Sequence, residues 1–400
     1  MKRIAILISC LCLFSLVYAQ KVKTGIEMLK ATNFKVLEGK RVGLVTNPTG
    51  VDNNLVSDID ILHNAPNVKL VALFGPEHGV RGSAHAGETV TGNSDPRTGL
   101  PVYSLYGKTR IPTDEMLKGI DVLVYDIQDI GCRSFTYIST LYNVMKAAAK
   151  RGIEVVVLDR PNPLGGEKIE GNLVEDDCVS FVSQFKIPYV YGLTPGEVAL
   201  LLNGENMIGG KCKLQVVKMK GWKRRMTYDQ TGLEWVLSSP HIPETSSAPF
   251  YSVTGIVGEL STISIGVGYT LPFKIIGAEW VKAQEFADAM NALRPIFYTP
   301  YYGPGKGKEL QGVQIYLTDY KKARLCDVQW YALQELYRLY PDHDPMGEDT
   351  KRADMINKVC GSKQIRKLFL SRHQWQDAKE YWDKDVDNFR KTAKKYYLYK

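Results

Sequence analysis

Val68-Lys69-Leu70-Val71-Ala72-Leu73-Phe74 runs directly into Gly75-Pro76-Glu77-His78-Gly79. The first seven residues form a nearly unbroken apolar run of strand length, the pattern of a strand buried on both faces. The pentapeptide starts where that strand stops and holds a glutamate and a histidine between glycines. In an open α/β sheet the carboxyl edge of the strands is where ligands bind. The arrangement recurs. Arg41–Thr46 is a short apolar run ending at Asn47-Pro48-Thr49-Gly50. Residues 121–125 end at Asp126-Ile127-Gln128-Asp129, followed by Gly131 and Arg133. Glu154–Leu158 ends at Asp159-Arg160-Pro161-Asn162-Pro163.

Between these strands the apolar spacing turns helical. Residues 25–34 carry Ile26, Leu29 and Phe34, and 52–64 carry Leu55, Val56, Ile59 and Leu62 with Asp52 placed as a cap. A helix is predicted over 134–151, closed by Gly152. Another covers 195–203, with Thr194 as N-cap and Pro195 at its first position. A further strand follows at 213–219. Strands alternating with helices predict an α/β domain over residues 20–230, a mostly parallel sheet covered on both faces. Beyond about Trp222 the rhythm stops. Pro240, Pro243 and Pro249 mark a loop-rich segment. A strand at 312–317 and helices at 328–339, 352–368 and 375–397 then predict a smaller C-terminal α+β domain over 231–400.

Composition narrows the function classes. Residues 1–19 read as a secretory signal peptide, with Lys2 and Arg3 before an apolar core and small residues up to Ala19. The chain is therefore expected to be exported, to a periplasm or the exterior, with no stable membrane insertion after cleavage. The net charge of +8 falls to +6 without that leader, which holds those two cations and no acid. Part of the excess lies at 218–225 and in Lys391-Thr392-Ala393-Lys394-Lys395. Such runs are solvated faces or a weak attraction to an anionic wall polymer. No nucleic-acid motif accompanies them. Cys132, Cys178, Cys212, Cys326 and Cys360 are widely spaced and form neither a disulfide framework nor a structural zinc pattern. No G-x-S-x-G elbow and no phosphate-cradling glycine loop follows a strand, so no cofactor is expected.

The strand ends carry the chemistry. In a parallel sheet they share one edge, so Glu77, Asp126, Asp129 and Asp159 are expected around one cleft with His78, Gln128, Arg133, Arg160 and Asn162. Clustered carboxylates drive one another's pKa values apart, which suits general acid–base work on a hydroxyl-rich ligand.

These motifs are recognisable as a set. Gly43-Leu44-Val45-Thr46-Asn47-Pro48-Thr49-Gly50, Leu73-Phe74-Gly75-Pro76-Glu77-His78-Gly79-Val80-Arg81-Gly82, Ala86-Gly87-Glu88, Tyr125-Asp126-Ile127-Gln128-Asp129-Ile130-Gly131-Cys132-Arg133 and Leu158-Asp159-Arg160-Pro161-Asn162-Pro163 resemble a bacterial family designated DUF1343. So do residues 98–107 and Tyr191-Gly192-Leu193-Thr194-Pro195-Gly196-Glu197. Members of that family are exo-β-N-acetylmuramidases of the NamZ type. The resemblance implies a Rossmann-like first domain without a dinucleotide and a peptidoglycan-derived sugar or muropeptide as partner. It matches Glu77 to the family's catalytic glutamate. Residues 235–273 depart from the pattern. Ser238-Ser239-Pro240-His241 stands for Pro-Ser-Pro-Asn, and Val267 stands where the family has an arginine, so the chain reads as a divergent member.

The expected function is thus a secreted exo-glycosidase releasing N-acetylmuramic acid or a related amino sugar. Glu77 is the expected general acid and Asp126 or Asp129 the second carboxylate, with Glu88, Glu170 and Glu259 as further candidates for that role. Asn47, His78, Arg81, Gln128, Arg133, Tyr137, Asp159, Arg160 and Asn162 are the remaining expected sugar-binding residues. The rival readings are a non-catalytic muropeptide- or glycan-binding protein on the same fold and a metal-dependent hydrolase using the same carboxylates.

Overall fold

The computed structural model describes residues 21–82, 94–292, 296–305, 308–319, 321–347 and 352–400. The leader expected over 1–19 and the candidate Glu88 lie outside the described residues.

The first domain is built on a six-stranded sheet. Its strands are β1 (Arg41–Thr46), β2 (Lys69–Gly75), β3 (Val102–Ser104), β4 (Val122–Asp126), β5 (Glu154–Leu158) and β6 (Lys213–Val217). Their spatial order is β3-β2-β1-β4-β5-β6, and every pairing is parallel. This is the doubly wound order, whose reversal lies between β1 and β4. Four helices cover the sheet: α1 (Gly25–Ala31), α2 (Asp58–Asn64), α3 (Tyr137–Arg151) and α4 (Pro195–Gly204). The side-chain period of two sorts each strand between two cores. Val42, Leu44, Val122, Val124, Val156 and Leu158 pack with Ile26 and Leu29 of α1 and Ile59 and Leu62 of α2. Val45, Leu123, Tyr125, Val155 and Val157 face the other way, onto Ile138 and Leu141 of α3 and Val198 and Leu201 of α4. Each such side chain, fully buried, contributes about 1.5–3 kcal/mol.

The C-terminal domain contains α5 (Ser247–Gly258), β7 (Ile275–Ala278), α6 (Ala283–Asn291), β8 (Phe297–Gly305), β9 (Lys308–Tyr316), α7 (Asp327–Leu339), α8 (Ala353–Cys360), α9 (Lys363–Arg372), α10 (Trp375–Asp383) and α11 (Val386–Ala393). Its antiparallel sheet has the order β7-β9-β8. Trp330 and Trp375 stack at 5.0 Å in its core, with Trp382 edge-on to Trp330 at 5.9 Å. That core is continuous with Ile130, Cys132, Tyr189 and Val190 of the first domain. The chain end returns to the first domain: Phe389 and Ala393 join its core, and Tyr399 bonds Asp159 at 2.5 Å. All five described cysteines are buried free thiols. Among the described residues no helix is long and apolar enough to cross a membrane.

The α/β sheet domain and the smaller α+β domain agree with the sequence reading, but several elements do not. The helix expected over 52–64 begins at Asp58, capped by Ser57. Asp52 instead anchors a loop, accepting from the amides of Asn54 and Val56 at 2.9 Å each, and Leu55 and Val56 are exposed. The helix expected over 352–368 breaks at Gly361, whose φ is +70° and whose position beside the Arg133 guanidinium leaves no room for a Cβ. The tail over 375–397 is two helices, α10 and α11. The segment read as loop after Pro240 contains α5, which accepts Pro249 because a proline in the first turn interrupts no intrahelical bond.

Candidate active site

The loop after β2 is tightly folded. His78 has φ +72° and Gly79 φ +74°, and the Gly79 amide bonds the Pro76 carbonyl at 3.1 Å. A Cβ on Gly75 would meet the Val80 backbone nitrogen at 2.9 Å, so the chain returns on itself there only as glycine. A histidine in the left-handed region is uncommon, and such backbone strain concentrates at functional sites. The turn leaves Glu77 half-exposed between buried neighbours.

Glu77 and His78 open into a cavity of about 380 Å3 between the two domains. Phe135 comes from the segment leading into α3, Tyr137 from the first turn of that helix, and Tyr106 from the chain after β3. The C-terminal domain contributes His241, Tyr251, Glu259, Ser264, Val267 and Phe273. Phe135 packs edge-on against Tyr137 at 4.8 Å and Tyr251 at 5.6 Å, and Tyr251 lies 5.0 Å from Phe273. The wall is therefore aromatic with hydroxyl tips, suited to the apolar face of a sugar ring and to its hydroxyls. Ser134 Oγ bonds the Tyr189 hydroxyl at 3.1 Å and lies 3.2 Å from that of Tyr251.

Among the described residues, two carboxylates line this cavity, and they come from different domains. The Tyr106 hydroxyl is hydrogen-bonded to Glu77. Burial, then the Glu77 charge and that bond, push the Tyr106 phenol up to about 12. Glu259 sits at the end of α5, and its Oε2 pairs with Arg352 Nη2 at 2.5 Å. Burial raises the Tyr251 phenol, and both Glu259 and Glu77 add to the effect, so Tyr251 lies within the field of both acids. Burial lowers His241, with His78 adding and Glu77 opposing. Among the described residues no lysine or arginine lines the cavity.

The strand-end aspartates lie elsewhere. Asp126 is fully buried and pairs with Arg160, Oδ1 to Nε at 2.5 Å and Oδ2 to Nη2 at 3.0 Å. Thr46 Oγ1 lies 2.6 Å from Asp58 Oδ2 and 3.1 Å from the Asp126 carbonyl. Burial, then the charge of Asp126, drives the Asp58 carboxyl well above its usual range. This network lies at the carboxyl ends of β1 and β4, where a doubly wound fold reverses its strand order. Asp129 is held by the Tyr191 hydroxyl and by the Gly131 amide at 2.7 Å, and burial pushes it up to about 7. Asp159 accepts from Thr194 Oγ1 and the Gly196 amide at 2.8 Å each and caps α4; burial pushes it too up to about 7.

The other expected binding residues separate in the same way. Glu77, His78, Tyr137 and Glu259 meet at the cavity. Asn47 holds Thr49 through its Oδ1 and stands beside the Tyr137 hydroxyl, which donates to the Ser238 carbonyl. Arg81 pairs with Asp95 at 2.8 Å and Asp60 at 3.0 Å, tying its loop to α2. Gln128 bonds the carbonyls of Asp129 and Pro161, and Asn162 bonds the Leu193 carbonyl. Arg133 is buried and donates to the carbonyls of Asn172, Ile187 and Val359 at 2.7–3.1 Å, joining the domains; burial lowers it to about 10. Glu170 is a second interdomain tie, accepting from the amides of Leu325 at 3.1 Å and Cys326 at 2.9 Å. Among the described residues no group of three histidines, cysteines and acids is placed to hold a metal. Sequence reasoning passed over Tyr106, Tyr251 and His241. Tyr106 and His241 stood inside the quoted stretches 98–107 and 238–241, which was their only signal, and Tyr251 had none, since aromatic residues of this kind read equally well as core.

An interdomain cavity walled by aromatics, with one glutamate from each domain, suits a hydrolase of the glycoside class. The comparisons make the class specific. The profile of the N-terminal domain of exo-β-N-acetylmuramidase NamZ matches residues 42–246, and that of its C-terminal domain matches 249–399. The chain belongs to this family of glycoside hydrolases. It is 43% identical over 386 residues to the peptidoglycan β-N-acetylmuramidase NamZ of Bacillus subtilis strain 168, covering 95% of this chain and 92% of that one. A crystal structure of a DUF1343 family protein from Bacteroides fragilis NCTC 9343 is 60% identical and superposes with a TM-score of 0.91. A second from the same strain is 28% identical with a TM-score of 0.76. Each covers 95% of this chain and is itself covered to 99%.

Proposed function

We propose that this chain is an exo-β-N-acetylmuramidase that takes the terminal sugar of a peptidoglycan fragment into the interdomain cavity. The observation that carries this reading is the convergence of Glu77 and Glu259 on one aromatic-walled cavity in a chain of this family. Glu77, positioned by the strained turn and by Tyr106, serves as general acid and protonates the glycosidic oxygen. Glu259, oriented by Arg352, is the second carboxylate, facing the positive charge that develops at the anomeric carbon. Asp126 and Asp129 stay out of the chemistry because each is enclosed by structural partners. Tyr137, Tyr251 and Phe135 carry the ring. His241, whose charged form burial disfavours, offers a hydrogen bond.

The product identifies the reaction. Incubation with MurNAc-GlcNAc should release free MurNAc, while GlcNAc-MurNAc, with the sugars reversed, should remain uncut. Cleavage of the second disaccharide alone, or of neither, contradicts the assignment. We further propose that residues 1–19 are removed on export. N-terminal sequencing of the protein recovered from outside the cytoplasm should then begin at Gln20, and an intact Met1 would contradict export.

A further inference from the structure

The antiparallel sheet of the C-terminal domain has one face turned away from α6. Residues directly opposite each other in an antiparallel pair share a face. Phe297 pairs with Tyr316, Thr299 with Gln314, and Tyr301 with Gly312, so Phe297, Thr299, Tyr301, Gln314 and Tyr316 lie together on this outer face. Phe297 is 50% and Tyr316 40% exposed, and Thr299 Oγ1 lies 3.3 Å from the Tyr316 hydroxyl. Exposed rings grouped on one face mark an interaction site more often than isolated ones do. None of the five side chains is charged.

This face is continuous with the cavity. Ile275 pairs with Gln314 and shares its face, and Gly266 packs directly on Ile275. The 264–271 loop thus lies over one end of the outer face. It places Ser264 and Val267 in the cavity and Tyr269 near enough to Tyr301 to raise its phenol beyond the effect of burial.

We propose that the outer face of this sheet is an extended glycan-binding platform, receiving the sugars that follow the one held in the cavity. The occupant is a β-linked amino-sugar strand. Neutral rings with hydroxyl and amide groups beside them fit the C–H faces and hydroxyls of pyranoses, and they offer nothing to a charged peptide or an anionic membrane. The platform rests on the glycosidase reading, since it takes its direction from the cavity.

Two substrates separate the platform from the reaction centre. Phe297→Ala/Tyr316→Ala should raise KM for peptide-free peptidoglycan strands about tenfold, the loss expected from two stacking rings. It should leave kcat/KM for a chromogenic β-MurNAc monosaccharide unchanged. Tyr316→Ala alone should show a smaller loss of the same kind, and Phe297→Tyr/Tyr316→Phe should restore strand affinity. Strand binding to Glu77→Gln, with and without the platform changes, reads the site without turnover, so loss of the muramidase reading would not remove the test. Strand affinity within twofold of the parent in the double variant overturns the proposal. So does a double variant that dissociates a dimer in sedimentation while binding strands normally, which would make this face a contact between copies.

Discussion

At the residue scale, function turns on which acids reach solvent. Glu77 does so because the turn that carries it is held in an unfavourable backbone region, with His78 at φ +72°. Asp126, at the end of β4 and two strands away in the sheet, ends buried against Arg160. The two residues are placed alike in the pattern of the sequence, yet one opens into the cavity and the other is enclosed in an ion pair. Tyr106→Phe removes the hydrogen bond to Glu77 and should lower kcat about tenfold, as expected for one bond to a charged group. An unchanged kcat would mean that Tyr106 does not position the acid. Arg160→Met leaves Asp126 buried without its cation and should cost about 3–5 kcal/mol in denaturant unfolding. Asp126→Leu/Arg160→Met should recover much of that loss, and a double variant as unstable as the single one would contradict a purely paired role.

At the scale of elements, the 75–80 turn and α5 aim the two glutamates. Gly79→Ala places a Cβ at φ +74° and should cost about 1–2 kcal/mol, read as a lower urea midpoint. A midpoint unchanged from the parent would show that the turn is not held there. The turn and strands β1, β2, β4 and β5 were legible because a parallel sheet writes continuous apolar runs into the sequence. Helix α5 was not. Pro249 stands in its first turn, and Gly255 and Gly258 weaken its propensity while fitting against Tyr189 and Ile265. Packing decides that helix, and with it the position of Glu259. The strand-end argument overcounted for a related reason. A shared edge brings polar residues near one another, but it does not say which of them turn inward to cap helices and tie loops.

At the scale of the whole molecule, the two domains act as one body. Arg133 and Glu170 bond backbone groups across the junction, and the chain end returns to Asp159. The buried carboxylates make stability depend on pH. Burial pushes Asp129 up to about 7, so between about pH 4 and pH 7 the folded chain keeps a proton that the unfolded chain has released. That contribution is fully present below the unfolded pKa and is lost as pH rises through the folded one. Asp129→Asn does not titrate, so its urea midpoint should fall less between pH 5 and pH 8 than that of the parent. Identical slopes would show that Asp129 is not held protonated. Arg133 was conspicuous in the sequence as a charged motif member and Glu170 as a candidate carboxylate, and only their partners reveal that they serve the fold.

The most direct test compares turnover of a chromogenic β-MurNAc by Glu77→Gln and Asp126→Asn, each normalised to folded protein. Loss of a general acid is expected to lower kcat by about 100-fold or more in Glu77→Gln, with sugar binding retained. Asp126→Asn should keep kcat within a few-fold despite lower stability. The reverse pattern, with Glu77→Gln active and folded Asp126→Asn inactive, would contradict the account and move the chemistry back to the crevice of the sheet.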